Sequence, residues 1–190
     1  GGLLRGSNKG GSMTTNANSF FVENADEVVF YFTAATDYNF SKLDFDSSID
    51  PIAVCKSILD KTNGTTYADA KQRHIDEHKA MFDRVVFNMG EPSTLATDER
   101  LNNVKKGGID LSLISLYFQY GRYLLMGSSR EPGVLPANLQ GVWNKDMNAA
   151  WSSDFHTNIN IQMNYWPAEL TNLSETVVPF SNLISALRVP

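Results

Sequence analysis

The sequence predicts a mostly α-helical chain with a small β part. Aromatic and β-branched residues crowd into residues 20–32, which favours strands. Ile52, Val54, Cys55, Ile58 and Leu59 form an apolar stripe at helical spacing, and a second helix is expected over 67–82. Residues 111–126 are apolar almost all round, the pattern of a helix buried among other helices.

At 190 residues, with 42% hydrophobic and 19% charged side chains, the chain has enough material for one large domain or parts of two. Its formal net charge is −5, and Lys105-Lys106 is the single adjacent basic pair. A nucleic-acid partner is therefore not expected, because phosphate recognition needs a basic patch. One cysteine, Cys55, rules out an internal disulfide and reads as a small buried hydrophobe within "PIAVCKSIL". No apolar run approaches the roughly 18 residues of a membrane span. The opening "GGLLRGSNKGG" lacks the apolar core of a signal peptide and reads as the middle of a domain.

Residues 1–18 are rich in Gly, Ser, Asn and Thr and are expected to be loop or fraying edge. Phe20–Val22 and Val28–Phe32, separated by "ENADE", are expected to pair as a hairpin. The second run is apolar on both faces and should lie between layers. A lone hairpin is marginal, so it calls for a larger sheet. Residues 39–50 read as a polar loop. Asp50 then Pro51 provides an N-cap and first helical residue, and the stripe Ile52, Val54, Cys55, Ile58, Leu59 runs toward Gly64. A second helix spans Tyr67 to Phe82. Its His74-Ile-Asp76-Glu77-His78 puts two histidines four apart, but the carboxylates are not where the H-E-x-x-H metalloprotease motif has them. The expected role is a solvated or inter-domain face, with no metal and no cofactor. "RVVFNMG" reads as a short strand. After the apolar helix 111–126, in which Arg122 is either a buried ion-pair partner or a snorkelling surface residue, comes a loop of about 37 residues, 130–166, that holds all three tryptophans. Pro167 should open a last helix over about 168–187.

The stretch "SDFHTNINIQMNYWPAE", residues 153–169, concentrates a histidine, four amides and three aromatics, with acids only at Asp154 and Glu169. Serine nucleophile chemistry is weakly supported, since Ser152 and Ser153 lack the G-x-S-x-G turn. A zinc site is weak because His156 has no nearby histidine partner. Amides, imidazole and aromatic faces suit a hydroxyl-rich ligand such as a sugar. Glycoside hydrolysis usually needs two carboxylates, and Asp154 and Glu169 are the local candidates. Both also have plain structural readings: Asp154 bracing its loop through backbone N–H groups, and Glu169 favouring the dipole in a first helical turn. If residues 156–161 are extended, His156, Asn158 and Asn160 share one side, and Ile159 and Ile161 pack on the other.

"LPANLQGVWN" at 135–144, "SDFHTNINIQMNYWPAELTNLSE" at 153–175 and "ISLYFQYGRYLLMGSSR" at 114–130 together resemble glycoside hydrolase family 95, the inverting α-L-fucosidases with some α-L-galactosidases. "ADEVVFYFTAAT" and "YADAKQRHIDEHKAMFDRVVFNMG" resemble the family's upstream regions more weakly. The resemblance implies the last strands of a β-sandwich domain over 1–42, a helical linker over 43–109, and the start of an (α/α)6 barrel over 110–190. It implies that Asn160 activates water, that Asn158 assists it and that His156 binds the sugar. It places the general-acid glutamate and the carboxylate supporting the asparagine beyond Pro190, so that this stretch alone is expected to be inactive. The implied partner is an oligosaccharide with a terminal L-fucose, α-1,2-linked. The implied source is bacterial, with a periplasmic or extracellular location. An α-L-galactosidase, or a non-catalytic sugar-binding module, are the alternative readings.

Overall fold

The computed structural model describes residues 1–188, which form two compact units, Gly1–Asp76 and Glu77 onward. The first unit is built on an antiparallel ribbon. Strand β1 (Gly2–Lys9) pairs with β4 (Glu27–Ala34), and β2 (Ser12–Thr15) pairs with β3 (Phe20–Glu23). The expected hairpin between residues 20–22 and 28–32 is therefore not formed, and residues 1–18 are largely strand rather than loop. The real turn is at 16–19, where the Asn16 side chain accepts from Asn18 N at 3.0 Å. The two runs of the expected hairpin lie on one arm, each facing its own partner.

The cause lies in the glycines that made residues 1–18 look loop-like. Gly2 faces Ala34 and Lys9 faces Glu27, but Ser12 faces Glu23, so the register slips by one residue between the pairs. The extra residue lies in 24–26, where Asn24 has φ 53°, and Gly10 and Gly11 opposite it accommodate the slip with φ of 69° and 55°. A Cβ on Gly11 would sit 2.1 Å from the Glu23 carbonyl oxygen, so only glycine fits.

One face of β4 (Val29, Tyr31, Thr33) is half-buried against helix α1 (Pro51–Asp60), with Tyr31 donating to the Thr65 carbonyl at 2.8 Å. The other face is open, with Phe32 70% exposed, so the run is not sandwiched as expected. The loop expected over 39–50 contains a two-residue hairpin, β5 (Tyr38–Asn39) with β6 (Asp44–Phe45). Bonds from Lys42, Ser48 and Asn39 hold the Asp46 carboxyl well below the usual carboxylate range. Helix α1 begins as expected: Asp50 accepts from Ile52 N at 2.9 Å and Pro51 is in the first turn. Cys55 is fully buried.

Helix α2 (Tyr67–Phe82) has the expected bounds and leads into the second unit. There "RVVFNMG" is not a strand. Its backbone is tied to helix α4 (Leu111–Ser128) through side chains instead: Val85 O accepts from Gln119, Met89 N donates to Ser115, and Phe87 packs on Phe118. Helix α3 (Thr97–Lys105) has no counterpart in the sequence reading, because "TDERLNNVK" carries only two apolar residues. Its Arg100 forms a two-pronged pair with Asp110, whose carboxylate also caps α4 by accepting from Leu113 N at 2.8 Å. These bonds hold Asp110 well below the usual carboxylate range.

Helix α4 is not buried all round. Leu125, Met126 and Arg122 are buried, while Tyr117 is 77% exposed and Leu116 and Tyr120 are exposed too. Arg122 is neither snorkelling nor paired with an acid. It is 3% exposed and donates to the carbonyls of Met81, Phe82 and Thr171 and to the Gln119 side chain. Met81 and Phe82 end α2, and Thr171 follows helix α5 (Asn160–Leu170). One guanidinium thus donates to carbonyls at two helix ends, of which Met81 O also accepts from Arg84 N, and meets the negative ends of both dipoles. Burial pulls its pKa down, and Arg84 adds a smaller push in the same direction.

Pro167 does not open a helix; it lies within α5. That helix stops at Leu170, and Asn172 turns left-handed at φ 56°. A 3₁₀ turn at 174–177 then leads into helix α6 (Val178–Leu187). The expected single helix over 168–187 is two elements, divided where Leu173 plugs the core fully buried.

Candidate active site

The amide-rich stretch is anchored by a buried hydroxyl chain. Ala137 N donates to Tyr165 Oη at 2.8 Å, Tyr165 donates to Ser129 Oγ at 2.7 Å, and Ser129 donates to the Thr176 carbonyl at 2.7 Å. Each hydroxyl gives one bond and takes one, so the chain is satisfied throughout. Burial raises the Tyr165 pKa, and its two bonds only partly offset that. Asn164, the neighbour of Tyr165 on α5, donates to the carbonyls of Ala137 and Asn138 at 3.4 and 3.1 Å. Two consecutive residues of one helix therefore fix the backbone of 137–138.

That backbone opens the "NLQGVWN" turn. Gly141 has φ 62°, and a Cβ there would come 2.7 Å from Ser128 Oγ and 2.9 Å from the Trp143 ring. The turn and α4 line an open groove of about 490 Å³, with Asn138, Gln140, Trp143, Asn164 and Tyr120 among its walls. The turn also reaches the amide-rich stretch. Leu139 N donates to the Asp154 carbonyl at 2.9 Å, Gln140 Oε1 accepts from Ser153 Oγ at 2.8 Å and from Asn144, and Gln140 Nε2 donates to Ala150 O at 3.3 Å.

Residues 150–160 are neither a loose loop nor a strand. A 3₁₀ turn covers Ala150–Ser153, and Trp151, Ser152, Ser153 and His156 all have φ between 50° and 56°. Four left-handed non-glycine residues so close together mark stored strain, which tends to collect at functional sites. The extended conformation expected for 156–161 is absent: 157–159 form a turn and Asn160 is the first residue of α5. The regular alternation from His156 to Asn160 falls with it. Ile161 is buried as expected, but Ile159 is exposed. Local bonds wind the turn into the helix, with Ile161 N donating to the His156 carbonyl at 3.3 Å and Gln162 to the Thr157 carbonyl at 2.8 Å.

His156 and Asn160 are both partly buried, and Asn158 is exposed. His156 Nδ1 lies 2.9 Å from Asp154 Oδ1, and the Trp151 ring stands edge-on to the imidazole at 6.0 Å. Asp154 does not brace its loop through backbone N–H groups; its carboxylate serves the histidine and its carbonyl the loop. Glu169 sits in the last turn of α5, not a first turn, and accepts from Ser174 Oγ at 2.6 Å. Among the described residues no group of three or more His, Cys, Asp or Glu is arranged to hold a metal. His78 stacks on Phe82 and meets Tyr123 edge-on, while Glu77 pairs with Arg130. Among the described residues no helix is long and apolar enough to cross a membrane.

The sequence reading quoted the 135–144 motif but gave its residues no role, and it missed the Tyr165–Ser129 relay. A usable signal was present: Tyr, Asn and Gln set among apolar helix positions have to find hydrogen-bond partners once buried.

Residues 66–190 match the model of the glycosyl hydrolase family 95 catalytic domain. This chain belongs to glycoside hydrolase family 95. The family 95 chain is 36% identical to a protein named alpha-L-fucosidase 2 from Arabidopsis thaliana, over 98% of the chain and 23% of that protein. It is 34% identical to a probable alpha-fucosidase A from Aspergillus niger, over 88% of the chain and 22% of that protein. A probable alpha-fucosidase A from Aspergillus oryzae is 36% identical over 83% of the chain and 22% of its own length. The chain thus spans about a quarter of the length of these relatives. They come from a plant and two fungi and lend nothing to the bacterial source implied by the resemblance.

Proposed function

We propose that these residues are part of an inverting exo-α-L-fucosidase that releases terminal α-1,2-linked L-fucose from glycans. The observation that carries the reading is the family 95 match over residues 66–190, joined to relatives named as fucosidases. The site chemistry is consistent with it. An inverting glycosidase activates water on one face of the sugar while an acid protonates the leaving oxygen on the other. Asn160, at the first position of α5, orients and activates the water, and Asn158 assists. His156 binds a sugar hydroxyl.

An amide is a feeble base alone, because useful general-base catalysis needs a pKa near the working pH. A supporting carboxylate must polarise it. Asp154 is engaged with His156, and Glu169 is held by Ser174 at the far end of the helix. Neither is assigned the acid–base work. The resemblance to family 95 implies that the supporting carboxylate and the general acid come from other residues than these 190, and on this reading the stretch alone has no turnover. The same proposal keeps strands of a β-sandwich over 1–42, a linker over 43–109 and the first barrel helices from 110. It also keeps export to the periplasm or cell exterior, which cell fractionation reads.

The test is proton NMR of the full-length protein acting on 2′-fucosyllactose, following the first-formed anomer. The reading expects β-L-fucose first, equilibrating to α. If α-L-fucose forms first, the mechanism is retaining and the role of Asn160 is wrong.

A further inference from the structure

Histidine can use either ring nitrogen toward a ligand, and the neighbour of one nitrogen decides what the other offers. Asp154 Oδ1 lies 2.9 Å from His156 Nδ1. An ionised carboxylate only accepts, so in neutral His156 the ring proton must be on Nδ1. Nε2 is then a bare lone pair. The two side chains are partly exposed, 37% for His156 and 53% for Asp154, and the backbone that carries them is held in place. The Asp154 carbonyl accepts from Leu139 N at 2.9 Å, and Leu139 adjoins the 137–138 backbone held by Tyr165 and Asn164. His156 is fixed by its own left-handed backbone, by the Ile161 N bond to its carbonyl and by the Trp151 ring beside it.

We infer that Asp154 is a positioning residue that locks His156 as the Nδ1–H tautomer, so that Nε2 accepts a hydrogen bond from a sugar hydroxyl. This rests on the proposal that His156 binds the sugar. It gives that contact a direction: the hydroxyl donates, and a ligand with an ether or fluorine at that carbon loses the bond. It also explains why an acid sits two residues before the histidine without taking part in the acid–base chemistry. A free imidazole favours the Nε2–H tautomer, so the arrangement has a visible signature.

The experiment is ¹⁵N NMR of the histidine rings in the selectively labelled chain at about pH 8.5, above the usual imidazole range. His156→Gln assigns its signals against His74 and His78. The expected result is a pyrrole-type Nδ1 and a pyridine-type Nε2 for His156, reverting toward the free-imidazole mixture in Asp154→Asn while His74 and His78 stay put. In the full-length enzyme Asp154→Asn raises KM by roughly three- to tenfold with kcat nearly unchanged, the scale of one hydrogen bond. An Nε2–H ring in the unmodified chain overturns the inference whatever the kinetics show. It also fails if His156→Ala raises KM but Asp154→Asn does not, which leaves the sugar-binding role of His156 standing. If His156→Ala leaves KM unchanged, the sugar-binding role itself falls.

Discussion

The helical framework and the segment 150–160 solve opposite problems within one unit. Around α4 and α5, the buried polar groups are matched except for Gln162 Oε1: Arg122 donates to carbonyls at two helix ends, and Tyr165, Ser129 and Thr176 form a donor–acceptor chain. In 150–160 the side chains are largely exposed and four residues take left-handed backbone angles. The first region spends its hydrogen bonds on holding helices in register. The second accepts strain to present a histidine and two asparagines. The difference teaches that the framework is what makes the strain affordable, because a strained segment persists only where its surroundings over-determine it.

Breaking the framework should have the largest effect. Arg122→Met keeps the bulk of the stem but removes the donor to the Phe82 and Thr171 carbonyls, while the Met81 carbonyl keeps its bond from Arg84 N. We expect a loss of about 3–5 kcal/mol, seen as a fall in Tm of roughly 10 °C by calorimetry. Arg122→Lys should recover only part, since one ammonium lacks the planar fork that reaches several carbonyls. A Tm within a degree or two of the parent would show that the helix ends are satisfied by water instead.

A smaller effect should follow from cutting the relay. Tyr165→Phe preserves the stacking on Phe180, where the rings lie 4.8 Å apart, but removes the acceptor of Ala137 N and the donor to Ser129. About 1–2 kcal/mol should be lost in urea unfolding, with an unchanged m-value.

The site segment should respond with the opposite sign. Ser152 has φ 56°, a conformation costly to any residue with a Cβ. Ser152→Gly removes that cost and should leave stability equal or raised by about 0.5–1 kcal/mol, while the loosened segment lowers kcat/KM in the full-length enzyme. A clear loss of stability would mean that the left-handed backbone is relaxed and that the contrast between the two regions is false.

The two regions also differed in how far they could be read from sequence. The start of α1, both ends of α2 and the start of α4 were legible, because Asp50-Pro51 and the change to apolar sequence at 111 are local signals. The ribbon was not, since its pairing depends on a one-residue slip opposite Gly10-Gly11 that only the partner strand makes necessary. Helix α3 was missed because polar residues dominate it and Arg100 is buried through its pair with Asp110. His156, Asn158 and Asn160 stood out by residue type, but the extended geometry expected of them is not the one found. Alternation along a strand was assumed where a turn enters a helix, and nothing in "HTNINIQ" separates a short extended run from a wound turn. Arg122 was misread because its partners are carbonyls, and carbonyls are invisible in a list of side chains.

The central claim is that Asn160, presented at the start of α5 by this strained segment, activates the water. Steady-state kinetics of Asn160→Gly in the full-length protein with 2′-fucosyllactose test it most directly. Water activation matters mainly in the transition state, so kcat should fall by roughly 10²-fold or more while KM changes little. A near-parental kcat, or a loss confined to KM, would contradict the claim and return attention to Asp154 and Glu169.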